Sequence, residues 1–382
     1  MSNHELARAW VEVDLASLRR NFISIRETIG PDVSVIVMAK ADGYGLGATR
    51  VVRALEPLQP WGYGVATTEE GIALRKAGVT RPILVCEPLP PDSVEAAAAA
   101  GLTATISHLS QLERWGAAAR NRPGGLDFHI EIDTGMGRCG LSPSALDEWL
   151  AVVTSSTGPH LRWSGIFTHF HSADTVDDGS AHHQLVRFDE VLGRLPNPRP
   201  ELLVHAANSA AALRFPAARR SAIRPGIYLY GGDPLPELEL PGLPRAEPVV
   251  SVRARIILLR EVEPGTTVGY GATYRASRRE LWATLGIGYA DGIPRSLSGR
   301  GEVLVRGKRV PIIGRISMDL IVVNLTGITD AEVGEVATLV GRDGDEELTL
   351  EEVAAQAGTI NHEILTGLAP RLPRVEVGAG EH

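Results

Sequence analysis

A lysine closes the first apolar run of the chain. Lys40 follows the seven mostly apolar residues Val33–Ala39 in VSVIVMAK-ADGYGLG. Burying an ammonium is unfavourable, and desolvation lowers a lysine's pKa and leaves an amine fit to form a Schiff base. The alternative is a lysine that extends its charged end from a rim into water. Other polar side chains also stand where apolar runs stop, among them Arg138, His169, Ser209 and Arg224. Taken singly these are weak signals. A lone His169 is as easily a satisfied core histidine, and Tyr270 in a lone G-Y-G is as easily a packed or surface tyrosine.

The elements that must position these residues repeat. Short apolar runs at Val33–Ala39, Trp61–Thr67, Pro82–Glu87, Leu102–Ser107, Leu126–Asp133, Trp163–Phe170, Leu202–Asn208 and Ala222–Tyr230 alternate with helix-like stretches. One stretch, Thr68–Ala77, has Thr68 as its cap, acidic residues in its first turn and Gly78 at its end. Another, Ser142–Val153, carries Leu146, Trp149 and Leu150 at helical spacing, continuing from Leu141. Continuous rather than alternating apolar runs predict strands buried on both faces. Eight such units in roughly 220 residues predict a (β/α)8 TIM-type barrel, whose catalytic residues stand at the C-terminal ends of its strands. An open doubly wound sheet is the competing reading, but no G-x-G-x-x-G follows the first strand.

From about Ala246 the texture changes to short Val- and Ile-rich runs separated by Gly, Pro or charges, which predicts a C-terminal mostly-β domain. The expected organisation is a barrel over 15–240 and a β-domain over 241–382. Pro234–Pro248, with five prolines, is read as the linker. The segment 1–14 contains the strand-like ARAWVEVD and is expected to join the β-domain, with Asp14 capping the next helix.

The chain has 382 residues, with 38 Lys plus Arg against 46 Asp plus Glu and a net charge of −8. That balance argues against a general nucleic-acid binder. Two cysteines without a C-x-x-C leave no disulfide framework or Cys-based zinc module. No metal site is expected. No apolar run reaches the ~18 residues of a membrane span, and the N-terminus has no apolar signal core. A soluble, cytoplasmic protein is the expectation.

The motifs taken in order resemble the alanine racemases, a family of pyridoxal-phosphate (PLP) enzymes. Lys40-Ala41-Asp42-Gly43-Tyr44-Gly45 is similar to the family's PLP-lysine motif. Gly64-Val65-Ala66-Thr67, Asp133-Thr134-Gly135-Met136-Gly137-Arg138, Thr168-His169-Phe170, His205-Ala206-Ala207-Asn208-Ser209 and Arg224-Pro225-Gly226-Ile227 come next. The second domain adds Gly269-Tyr270-Gly271-Ala272-Thr273-Tyr274, Gly288-Tyr289-Ala290-Asp291-Gly292, Arg315-Ile316-Ser317-Met318-Asp319 and Ile360-Asn361-His362-Glu363. The resemblance spans residues 8 to 376 and implies a PLP-binding barrel plus a β-domain.

It also implies roles. Lys40 would hold PLP covalently and act as one base. Tyr270, from the partner subunit of a homodimer, would be the base on the opposite face. A free tyrosine titrates near pH ~10, so it needs polar help to act as a base. Arg224 would face the pyridine nitrogen, with His205 behind it and His169 against the ring. An arginine does not give up its proton, so the ring nitrogen would stay unprotonated. Tyr44, Asn208, Ser209, Gly226, Ile227 and His362 would surround the phosphate side. Arg138 would meet the PLP phenolic oxygen and the substrate carboxylate, Met318 would offer its amide to that carboxylate from the other subunit, and Tyr289 and Arg295 would line the entrance. The implied activity is interconversion of L- and D-alanine, supplying D-alanine. The alternatives are racemisation of serine or another small amino acid, a fold-related decarboxylase, or a non-catalytic PLP-binding protein.

Four residues depart from the family pattern. Glu131 stands where many members carry a carbamylated lysine whose anion holds the neighbouring arginine; Glu supplies that anion without carbon dioxide, but its shorter side chain leaves Arg138 either to sit differently or to be reached through a bridging water. His362 replaces a tyrosine at the gate, Leu46 a histidine, and Gly43 a common alanine. They bear on specificity, not on Lys40, Tyr270 or Arg224.

Overall fold

A computed structural model describes residues 6–120, 122–177, 179–196, 202–238 and 240–378. Eight parallel strands, Ser34–Met38, Gly62–Val65, Ile83–Pro88, Thr103–Ile106, Leu126–Glu131, Leu161–Phe167, Leu203–His205 and Ala222–Ile223, close into a barrel in chain order. The first strand pairs with both the second and the eighth. Val35–Met38, Gly62–Val65 and Thr103–Ile106 are buried along their whole length, as strands between a filled interior and a helical jacket must be.

Local chemistry sets several boundaries differently from the sequence pattern. The last strand stops at Ile223, far short of Tyr230. Pro225 has no amide hydrogen for the ladder, and only its carbonyl still serves, accepting from the Met38 amide at 3.1 Å. Helix Thr68–Lys76 is capped by Thr67, not Thr68. The Thr67 hydroxyl accepts from the Glu70 amide, and the Glu70 carboxylate accepts from Thr67, a capping box. Pro143 opens a 3-10 turn, Pro143–Ala145, so the helix behind it is Leu146–Ser156. Leu141 lies before both and bridges to Ile132.

The second unit is built on a nine-stranded sheet. Its long strand Val250–Val262 pairs antiparallel with Ala9–Asp14, Glu280–Leu285 and Val336–Asp343. Asp14 then caps helix Leu15–Ile29, its carboxylate accepting from the amides of Ala16 and Ser17. The segment between the units is pinned to the barrel by buried Asn21, whose side chain donates to the carbonyls of Leu229 and Glu247 and accepts from the Glu247 amide. This unit is not all strand. Thr349 caps helix Leu350–Ala357, and helix Asn361–Gly367 comes after it. The second of these brings His362 to the barrel mouth. Among the described residues no helix is long and apolar enough to cross a membrane.

Candidate active site

The C-terminal ends of the barrel strands open into a cavity of about 680 Å³. The ten residues expected around the cofactor, Lys40, Tyr44, Arg138, His169, Asn208, Ser209, Arg224, Gly226, Ile227 and His362, all line it.

Lys40 stands one residue past Ala39 and is exposed to the cavity, so the buried-ammonium argument does not apply to it. The turn after Lys40 is unusual. Ala41, Asp42, Gly43 and Tyr44 have φ of 53°, 52°, 64° and 55°, a run of left-handed residues of which three carry a Cβ. Such residues are each strained by ~1–3 kcal/mol and persist only where their surroundings hold them. Here the Glu70 carboxylate accepts from the Ala41 amide at 2.6 Å and the Asp42 carboxylate accepts from the Ala48 amide at 2.8 Å. Tyr44 is buried and stacks on Tyr230 at 4.4 Å between ring centres. Burial pushes its phenol upward, so it stays a neutral donor. A Cβ on Gly226 would lie 2.0 Å from the Tyr44 hydroxyl, so only glycine admits that ring.

Arg224 is fully buried without a carboxylate against it. Nη1 donates to His205 Nδ1 at 2.6 Å and to the His205 carbonyl at 3.1 Å. Nη2 donates to the carbonyls of Thr168 and Ala206, at 2.8 and 3.2 Å, and to His169 Nδ1 at 3.2 Å. Burial lowers its pKa to about 10, which leaves it a cation at neutral pH. Nε finds no acceptor among the described residues, although the side chain lines the cavity. The same burial, reinforced by Arg224, holds His169 down at about 3 and His205 well below the usual imidazole range. Both are neutral.

Arg138 reaches the cavity through a loop organised by Asp133, whose carboxylate accepts from the amides of Gly135 and Gly137 at 3.0 Å each. The expected Glu131–Arg138 pair is absent among the described residues. Glu131 instead accepts from the Ser107 hydroxyl at 3.0 Å, because both stand at the ends of neighbouring strands. Burial raises its carboxyl above the ordinary range, against the pull of Ser107, Arg224 and Arg138.

Tyr270, Met318, Tyr289 and Arg295 do not reach this cavity. They sit on the second unit, with Tyr270 68 % and Met318 53 % exposed. Tyr289 and Met318 are held back to back, the Tyr289 amide donating to the Ser317 carbonyl and the Ala290 amide to that of Met318. Two residues escaped the sequence reading. Glu70 had a signal in its T-x-x-E spacing. His129, inside an apolar strand and bonded to His205, had only its polarity among apolar neighbours.

Comparison with known proteins agrees with this geometry. The N-terminal domain model of alanine racemase matches residues 13–234, and the C-terminal domain model matches 249–376. An alanine racemase of Halothermothrix orenii is 37% identical over 366 residues, 96% of each chain. The solved alanine racemase of Bacillus anthracis with bound L-Ala-P superposes with a TM-score of 0.89 at 36% identity, covering 98% of this chain and 96% of that one. The alanine racemase of Bartonella henselae with covalently bound pyridoxal phosphate gives 0.88 at 29% identity, covering 97% and 100%. With both domain models placed end to end on one barrel and one β-domain, the chain belongs to the alanine racemase family.

Proposed function

We propose that this protein interconverts L- and D-alanine with PLP as cofactor, and that two copies of the chain complete each site. The observation that carries the reading is Arg224, a buried guanidinium held only by neutral acceptors, with Nε left open to the cavity that Lys40 also lines. The cavity fits PLP on the evidence of its donors. Nε of Arg224 suits a bare ring nitrogen. The Ile227 amide has no protein acceptor among the described residues, and it stands beside the hydroxyls of Ser209 and Tyr44. Three neutral donors suit a phosphate that needs no cation. Lys40 supplies the amine.

When bound, PLP supplies the electron sink that makes an α-proton removable. Arg224 would donate a hydrogen bond to the ring nitrogen and, as a guanidinium, would keep its own proton, so the ring nitrogen would stay unprotonated and the electron sink weaker. Neutral His169 and His205 add no second cation. Lys40 Nζ takes or returns the proton on one face. The hydroxyl of Tyr270, from the second copy, does so on the other. Arg138 meets the substrate carboxylate, joined by the Met318 amide of the second copy. Asn208 and His362 border the phosphate side, and Tyr289 stands at the entrance. The high exposure of Tyr270 and Met318 on a single chain supports their use between copies.

The test is proton NMR of the PLP-loaded protein in D₂O with a panel of L-amino acids, followed by chiral analysis. The expected result is fastest loss of the α-proton signal on alanine, with D-alanine formed. Faster exchange on serine, or none on any substrate while PLP stays bound, would overturn the reading.

A further inference from the structure

Behind Arg224 lies a second histidine that the motifs do not single out. His129 Nδ1 is 2.9 Å from His205 Nε2, and His205 Nδ1 is 2.6 Å from Arg224 Nη1. All three side chains are buried. Counting donors settles where the protons are. A guanidinium nitrogen only donates, so His205 Nδ1 must be bare. The His205 proton is then on Nε2 and is donated to His129 Nδ1, which must be bare in turn. His129 therefore carries its proton on Nε2, a buried nitrogen that finds no acceptor among the described residues, so the cost of that orphan donor is set against the two bonds of the chain. A proton on Nδ1 of either ring would set two donors face to face.

The fold makes room for this ring. A Cβ on Gly165 would stand 2.6 Å from each of three His129 ring atoms, and that glycine has an ordinary strand backbone. The pairing between the two strands slips by one residue just ahead of the His129–Gly165 step. His205 is fixed in plane by Phe167, which stacks on it at 4.8 Å and also lies 5.0 Å beneath the Arg224 guanidinium. Inverting the His205 ring would swap its nitrogens for carbons and break both bonds. These features are more than packing an apolar residue would need.

We propose that His129 is a positioning residue for Arg224: it holds His205 in the Nε2–H form, so that Nδ1 remains an acceptor that aims the guanidinium. The inference rests on the racemase reading only for its consequence in turnover. The order of protons stands or falls by itself.

The experiment is 15N NMR of the full-length, PLP-loaded protein labelled at histidine, with signals assigned by substitution, alongside steady-state kinetics on alanine. The wild type is expected to show one protonated Nε2 and one bare Nδ1 on both His129 and His205. His129→Leu removes the acceptor. It is expected to give a mixed His205 signal and to lower kcat about tenfold, with a smaller change in KM. His129→Asn places an amide oxygen where Nδ1 was and is expected to restore the His205 signal and most of kcat. A proton on Nδ1 of either ring in the wild type overturns the proposal. So does an unaltered His205 signal in His129→Leu, or equal damage in the two variants. If His129→Leu does not fold, the wild-type spectrum alone decides. The expected protonation with no turnover of alanine would sink the racemase reading and leave the relay intact.

Discussion

The buried His129 makes a measurable claim about acid stability. Burial, with Arg224 adding to it, lowers its pKa to about 3. In the unfolded chain an imidazole titrates near ~6.5. The native imidazole is therefore neutral where the unfolded one is charged, and between those values the unfolded state binds more protons. Stability tied to this group is full above pH ~6.5 and is lost as pH falls toward 3. Integrating the proton difference from pH 7 to pH 5 gives a loss of about 1.9 kcal/mol from this one ring. Other groups titrate in the same range, so the effect is isolated by comparison with His129→Asn, which cannot take up a proton. The assay is urea denaturation of both PLP-loaded proteins at pH 7, 6 and 5, at fixed protomer and cofactor concentrations. The variant is expected to be the less stable at pH 7, and the gap should shrink by about 2 kcal/mol by pH 5. A gap that stays constant, or widens, would mean that His129 is charged in the native protein or not sealed from water, and the proton order around Arg224 would fall with it.

Three further outcomes are expected. Gly226→Ala drives a methyl group to 2.0 Å from the Tyr44 hydroxyl. Overpacking of about 1–3 kcal/mol should weaken PLP binding about tenfold or more, read from cofactor absorbance, and an unchanged affinity would contradict the fit. Because Glu131 is a permanent carboxylate bonded to Ser107, activity should not respond to added bicarbonate. A rate that rises with bicarbonate would refute this. Lys40→Ala and Tyr270→Phe should each be inactive alone. Random mixing of their subunits should recover about a quarter of wild-type activity, because half the dimers then hold one intact site of two. No recovery would argue against sites shared between two copies.

Much of this was legible in the residues. Each of the eight apolar runs overlaps a barrel strand, because strands between a filled interior and a helical jacket are mostly apolar on both faces. The motif residues of the first 230 positions converge because a barrel gathers its strand ends on one rim. The illegible part depends on contacts across the chain. Pro225 ends the last strand by a missing amide, a local fact hidden inside a long apolar run. Glu131 was expected on Arg138, seven residues on, yet Ser107 is nearer in space because it ends the adjacent strand. His129 looks like a polar residue alternating in H-I-E-I-D, and only strand pairing sets it against His205. Lys40 looked buried from its preceding run, but the strand ends at Met38 and Lys40 stands beyond it, exposed and lining the cavity.

Glu131 is one part of how charge is distributed at the rim. Three cations, Lys40, Arg138 and Arg224, line the cavity, and so do three carboxylates, Glu70, Glu87 and Asp174. The carboxylates closest in sequence to them are occupied elsewhere. Glu70 is taken by the amides of Ala41 and Ala66, Asp42 by that of Ala48, Asp133 by its own loop, and Glu131 by Ser107. A carboxylate against Arg224 would satisfy the guanidinium and leave little reason for it to face a neutral ring nitrogen. Holding it instead with three carbonyls and two neutral imidazoles fixes its position without cancelling its charge. That choice costs desolvation of an unpaired cation, which the five neutral acceptors offset only in part. A bound ring nitrogen would take the open Nε of Arg224 and satisfy the one donor that the five acceptors leave over, so the protein should gain stability from PLP at this position as well as at its phosphate contacts.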